Sequence, residues 1–229
     1  MLGCSLSPSG VLIDRKGKTV KRLFVVGVLV SVAVGAQLLV SAPAGANPDS
    51  IPICCAWNGN LVHGTLTYTI SSGDATVQSW INTGVQAWPG AVNADHSVKH
   101  NLVLSPASGR TGDIDIRFKN GGGNIQGTTS WSFDSAGFIS HARISISGKA
   151  FGTPNGEQLV EQITKHEMGH ALGLEHADFN GDLMSTTLTN GSPNISTCDV
   201  NGVVIAQHWY LVDGSTAPAA PPQQTVTCS

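Results

Sequence analysis

His166-Glu167-Met168-Gly169-His170-Ala171-Leu172-Gly173-Leu174-Glu175-His176 is the stretch from which the rest of the chain can be read. On an α-helix, residues four apart lie about 40° apart around the axis, so His166 and His170 present their imidazoles on one face, near enough to grip one ion. Glu167 is offset from both rings and can reach a water at that ion as general base without becoming a ligand. A helix continued past Leu172 would carry His176 away. Gly173 can take positive φ, end the helix and swing the chain back, which makes His176 the third ligand. Three imidazoles beside a carboxylate suit hydrolysis better than a structural site, which usually closes with four Cys or His ligands.

Outward from this motif, Asn155 and Gly156 open the helix that carries it, and Leu159, Val160, Ile163, Ala171 and Leu172 give that helix a buried stripe. Upstream, Thr65 to Ile70 alternates polar and β-branched or apolar residues, the pattern of a half-buried strand with Leu66, Tyr68 and Ile70 inward. Asp74 is placed to cap a second helix in which Val77, Trp80, Ile81, Val85 and Trp88 recur at helical spacing up to Pro89-Gly90, laying both tryptophans on the sheet. Leu102 to Leu104 and Asp113 to Phe118 read as further strands. Gly127 to Phe133 and Phe138 to Ile146 read as a hairpin with Gly137 at positive φ in its turn. Downstream, Asp199 to Val212 reads as one closing helix with Cys198 at its start.

At these positions the chain resembles the metzincin zinc endopeptidases, whose His-Glu-x-x-His-x-x-Gly-x-x-His pattern matches at His166, Glu167, His170, Gly173 and His176. The step from His176 to Met184 resembles the matrixin branch, which implies Met184 as the methionine-turn residue. After that methionine the branch usually continues with an aromatic residue and a proline, where this chain has Ser185, Thr186 and Thr187. The resemblance implies an α+β zincin domain: a twisted, mostly parallel five-stranded sheet with an antiparallel edge strand, an active-site helix and a C-terminal helix. It also implies a catalytic Zn2+ and a protein or peptide substrate laid along the edge strand at Thr128 to Ser132. The expected reaction is hydrolysis of internal peptide bonds by a zinc-activated water. Two alternatives stay open: a metal-bearing peptide- or glycan-binding module without catalysis, and a zinc hydrolase of non-protein amides.

Several weaker signals surround the motif. His96 and His100 could meet on a helical turn at a second zinc, although the His-x-Asp spacing of such sites is missing. Asp113, Asp115 and Asp134 are candidate Ca2+ ligands, because hard cations take clustered oxygens. The glycine run after Lys119 lacks the flanks of a phosphate loop, so no nucleotide site is read there.

The N-terminus reads as an address. Arg15, Lys16, Lys18, Lys21 and Arg22 precede an uncharged run from Leu23 to Val40, and Ala44-Gly45-Ala46 offers a small-x-small cleavage site. Residues 1–46 are therefore expected to be a signal peptide, 47–213 a catalytic domain and 214–229 a Pro/Ala-rich tail. An uncleaved anchor is the other reading of the same run. Cleavage leaves seven basic against fourteen acidic residues, a formal charge of −7. That balance argues against nucleic acid and anionic membrane, and favours a secreted, monomeric protein without stable membrane association. The four cysteines that remain, Cys54, Cys55, Cys198 and Cys228, read as two disulfides. A bond between adjacent cysteines closes a strained ring, so Cys54 and Cys55 are expected to pair with Cys198 and Cys228. By resemblance, one of the first two could instead cap the zinc, but Ile51 to Trp57 does not match the family's switch motif.

Overall fold

The alternating stretch from Thr65 is a central strand of the main sheet in the computed structural model, which describes residues 48–228 apart from 59–60, 62–63, 72–73, 120–126, 188–193 and 222–223. The leader and the glycine run after Lys119 lie outside the described residues. A short strand β1 (Ser50–Ile53) comes first, followed by β2 (Thr65–Ser71), helix α1 (Ala75–Asn93), β3 (Val103–Pro106), β4 (Ile114–Lys119) and the hairpin β5 (Gly127–Phe133) and β6 (Ile139–Ser147). Helices α2 (Gly156–Ala171), α3 (Thr197–Ala206) and α4 (His208–Leu211) and strand β7 (Gln224–Thr227) complete the chain.

The five-stranded sheet has the order β3-β2-β4-β6-β5, parallel throughout except for β5, which runs antiparallel to β6 and has no strand on its outer edge among the described residues. The expected mostly parallel sheet with an antiparallel edge strand is thus present. Helix α2 packs on β5 and β6 and against α1. The two helices approach so closely that a Cβ at Gly84 would stand 2.7 Å from Thr164 Cβ. Leu66, Ile114, Ile116, Ile144 and Ile146 from the sheet join Val85, Trp88, Val160 and Ile163 from the helices in one fully buried core. Removing each such side chain from water contributes about 1.5–3 kcal/mol. Among the described residues no helix is long and apolar enough to cross a membrane.

Local chemistry explains most boundaries. Asp74 caps α1 by accepting from the Thr76 and Val77 amides at 2.7 and 3.3 Å. The Asp134 carboxylate accepts from the Ala136 and Phe138 amides, and Gly137 at φ 91° closes the β5–β6 turn.

Three expectations need correction. Helix α1 runs through Pro89 to Asn93, because Trp88 and Val92 on either side of the proline are both fully buried and offset the missing N–H bond. Trp88 is fully buried in the core it shares with the sheet residues, its indole donating to the Lys165 carbonyl of α2, and Trp80 packs on Phe151. The closing helix is broken at Gln207, whose side chain turns inward, donating to the Leu172 carbonyl and accepting from the Trp57 amide at 3.2 Å each.

The third correction concerns the cysteines, which pair as Cys54–Cys55 and Cys198–Cys228. β1 and β7 form a second, antiparallel two-stranded sheet, and the Cys228 amide donates to the Asp49 carbonyl. That pairing brings Cys228 to Cys198 at the start of α3. Cys54 is tied elsewhere, its amide donating to the Gly173 carbonyl.

Candidate metal centre

The last two turns of α2 carry His166, Glu167 and His170, all within 8% exposure, so the site is held by the core. Gly173 has φ 106°, and a Cβ there would overlap the Cys55 carbonyl oxygen. The chain reverses at this glycine, as its freedom predicts, and delivers His176 to the other two rings. His166, His170 and His176 then lie with ring centroids 4.7–5.3 Å apart, and one nitrogen from each falls within 4.8 Å of the others. Among the described residues this is the one His, Cys, Asp or Glu group with that geometry.

Two contacts fix which nitrogens face inward. His166 Nδ1 stands 2.6 Å from the Leu183 carbonyl oxygen and His170 Nδ1 stands 2.8 Å from that of Leu174. A carbonyl oxygen can only accept, so both Nδ1 atoms carry the proton and both Nε2 atoms keep a free lone pair. The two Nε2 atoms stand 3.1 Å apart. With no proton between them they repel unless a cation takes both lone pairs. This donor set fits zinc, which binds neutral imidazole nitrogen.

Burial also sets the charge states. It pulls the His170 pKa down to about 3, with repulsion from His166 adding to it, and it lowers His166 and His176 in the same direction. All three rings are neutral near pH 7. Burial pushes Glu167 up to about 7, against a hydrogen bond from Thr129 that favours the carboxylate.

Beneath the rings, Met184 is fully buried against α2, where a Cβ on Gly169 would overlap its sulfur. Its backbone is fixed in a tight turn: Met184 N donates to Asp182 Oδ1 at 2.8 Å, and Ala177 N donates to the Met184 carbonyl at 2.8 Å. The turn thus supports both His176, one residue before Ala177, and His166, through the Leu183 carbonyl. Asp199 of α3 is fully buried close to Asp182, and burial together with that carboxyl raises its pKa to about 8. Nothing in the local sequence marks this carboxyl pair.

The end of α2 shows what sequence reasoning missed. Trp131 Nε1 donates to the His170 carbonyl at 3.0 Å and Trp57 Nε1 to that of Ala171 at 2.9 Å, while Gln207 takes that of Leu172. Trp57 and Gln207 therefore satisfy carbonyls that the helix end leaves open, and Trp131 shares the His170 carbonyl with the Gly173 amide. On the other flank, Ile53 bridges Leu174, Glu175 N donates to the Pro52 carbonyl and Asp178 N to that of Ser50. A cleft of about 360 Å3 opens above the rings, with β5 from Gly127 to Trp131 as one wall, Glu167, His170 and His176 at its base and Glu175 at its rim.

The weaker signals do not assemble. His96 and His100 are exposed and outside the metal-binding group, and His100 stacks on Tyr210. The proposed calcium ligands do not converge either: Asp113 is engaged by Thr67, Asp115 by Thr69 and Asp134 by its own turn. Each aspartate serves a local backbone or hydroxyl donor, which leaves no clustered oxygens for a hard cation.

Comparison with known proteins bears on the whole arrangement. The family model described as Matrixin matches residues 56–210. A solved chain titled "GM1 bound form of the ECX AB5 holotoxin" is similar at 16% identity, over 69% of this chain and 87% of that one, with a TM-score of 0.48. No curated protein matches the chain.

Proposed function

Because this chain belongs to the matrixin family of zinc metalloproteases, we propose that it is an exported zinc endopeptidase in which His166, His170 and His176 hold the metal and Glu167 is the general base. The observation that carries this reading is the buried Glu167 carboxylate, one residue from a ligand histidine and at the base of a cleft walled by a free-edged strand. Bound zinc supplies a Lewis acid that polarises a carbonyl and acidifies water. The remaining work falls to the chain. Glu167 takes a proton from the attacking water at its carboxylate and delivers it to the leaving amine. The free edge of β5 offers backbone donors and acceptors to an extended peptide, which favours protein substrates over small amides. Met184 and its turn hold the ligand histidines in place without binding the ion.

Export is supported by the basic stretch, apolar run and small-residue site of the leader, and by two disulfides, which persist in oxidising compartments. Digestion of a denatured protein by chain 47–229, with and without a zinc chelator, tests the enzymatic reading. The expected result is internal cleavage that the chelator abolishes and that Glu167→Gln lowers by at least about 100-fold while zinc remains bound. Full activity in Glu167→Gln would remove Glu167 from the mechanism. No cleavage by a demonstrably zinc-loaded chain would move the weight to a binding module.

A further inference from the structure

Strand β5 turns Gly127, Thr129 and Trp131 toward α2, since alternate residues of a strand share one face. Each of the three meets the part of the helix that the proposed chemistry uses. The Trp131 indole holds the His170 carbonyl. Thr129 Oγ1 stands 2.6 Å from Glu167 Oε2 and 3.0 Å from the Glu167 carbonyl oxygen. Gly127 leaves room for the other carboxylate oxygen, since a Cβ there would overlap Glu167 Oε1 and lie 2.7 Å from its Cγ.

Glu167 is only 5% exposed, so little water is present to orient its carboxylate. Its side chain has three rotatable bonds, and freezing them requires a contact that opposes rotamer entropy. Among the described residues, Thr129 is the one side chain that hydrogen-bonds this carboxylate. The hydroxyl carries a single proton, and of its two acceptors, both on Glu167, the carboxylate oxygen is the nearer and, when ionised, the stronger.

We infer that Thr129 is a positioning residue for the general base: its hydroxyl fixes the Glu167 carboxylate, with Gly127 keeping space for it, and so ties the strand that would carry substrate to the group that would move the proton. The inference rests on the reading of Glu167 as base. It assigns β5 a second role, since the strand that would align the peptide also sets the aim of the carboxylate, and a misplacement of about 1 Å at such a group can cost on the order of 100-fold in rate.

Thr129→Val tests this with little change of shape, because valine keeps the β-branched outline and the strand preference and loses only the hydroxyl. Thr129→Ser keeps the hydroxyl, and Glu167→Gln serves as the reference. The readouts are kcat and KM on one peptide, zinc content, thermal midpoint and the crystal structure of the zinc-free Thr129→Val chain. We expect kcat to fall about 10- to 100-fold in Thr129→Val, with KM within about twofold. Zinc content should match the parent and the thermal midpoint should fall by no more than several degrees, as for any lost donor to a buried acceptor; Thr129→Ser should recover most of kcat, and the Glu167 carboxylate should leave its position in the zinc-free crystal. A wild-type kcat in Thr129→Val beside an inactive Glu167→Gln overturns the inference and leaves the base assignment standing. So does a raised KM with unchanged kcat, which would make Thr129 a substrate contact, or a Thr129→Ser variant as slow as Thr129→Val. Activity in Glu167→Gln instead overturns the reading on which the inference rests.

Discussion

The three histidines and Glu167 share one condition, burial, but it acts on them with opposite sign. Burial lowers the pKa of each histidine and raises that of Glu167 to about 7. In the metal-free chain, unfolding returns the histidines to about 6.5 and the glutamate to about 4.3. Between the folded histidine values and about 6.5 the unfolded chain binds more protons, so stability from these groups is full above that value and is lost as pH falls toward about 3. Glu167 contributes the reverse, stability present below its unfolded value and lost as pH rises through about 7. Asp199, raised to about 8, acts in the same direction as Glu167, so three imidazoles stand against two carboxyls. The zinc-free protein is therefore expected to lose thermal stability as pH drops from 6.5 to 4, and zinc, which competes for the same lone pairs, should dissociate over that range. Calorimetry of the zinc-free chain and release of zinc to a chromogenic chelator measure both. A midpoint that rises on acidification would show that the raised carboxyls, Glu167 and Asp199, dominate.

Among elements, α2 was the most legible, because everything that makes it a site is local. Residues four apart share a face, and Gly173 ends the helix for a reason visible in one residue. What caps the helix end was not legible, since Trp57, Trp131 and Gln207 come from three distant segments and a tryptophan looks the same in sequence whether it fills a core or donates a hydrogen bond. The periodicity of α1 likewise placed Val85 and Trp88 inward but could not say that Trp88 meets α2. The caps carry a prediction of their own. Trp57→Phe keeps an aromatic ring and removes the donor to the buried Ala171 carbonyl, which should cost about 1–3 kcal/mol of unfolding free energy. Urea unfolding of the zinc-loaded protein, with unchanged m-value, is the measurement, and an unaltered midpoint would mean that the carbonyl finds another donor.

Across the whole molecule, the features hardest to foresee are those made by the two ends of the described chain. Neither β1 nor β7 is long or strongly alternating, and each exists because the other is beside it. The cysteine pairing follows from that meeting, which is why steric reasoning about adjacent cysteines pointed the wrong way. The Cys198–Cys228 bridge spans 30 residues, and a loop of that length gives about 3.6 kcal/mol through the chain entropy it removes from the unfolded state. Replacing both cysteines by serine should lower stability by that order, read as a reduced denaturant midpoint. The Cys54–Cys55 bond closes almost no loop and should add little by the same route. A double variant as stable as the parent would show that β1–β7 pairing alone holds the end of the chain.

The register that sets Ser50 against Thr227 also has a meaning in time. Synthesis runs from the N-terminus, so β1 exists well before β7, and until β7 is made the strand that flanks Leu174 to Asp178 lacks its second neighbour. Contacts so distant in sequence form late and slowly. The strand that fastens the loop presenting His176 is thus itself paired only when β7 has emerged, and a nascent chain holds the histidine motif before it holds a finished centre.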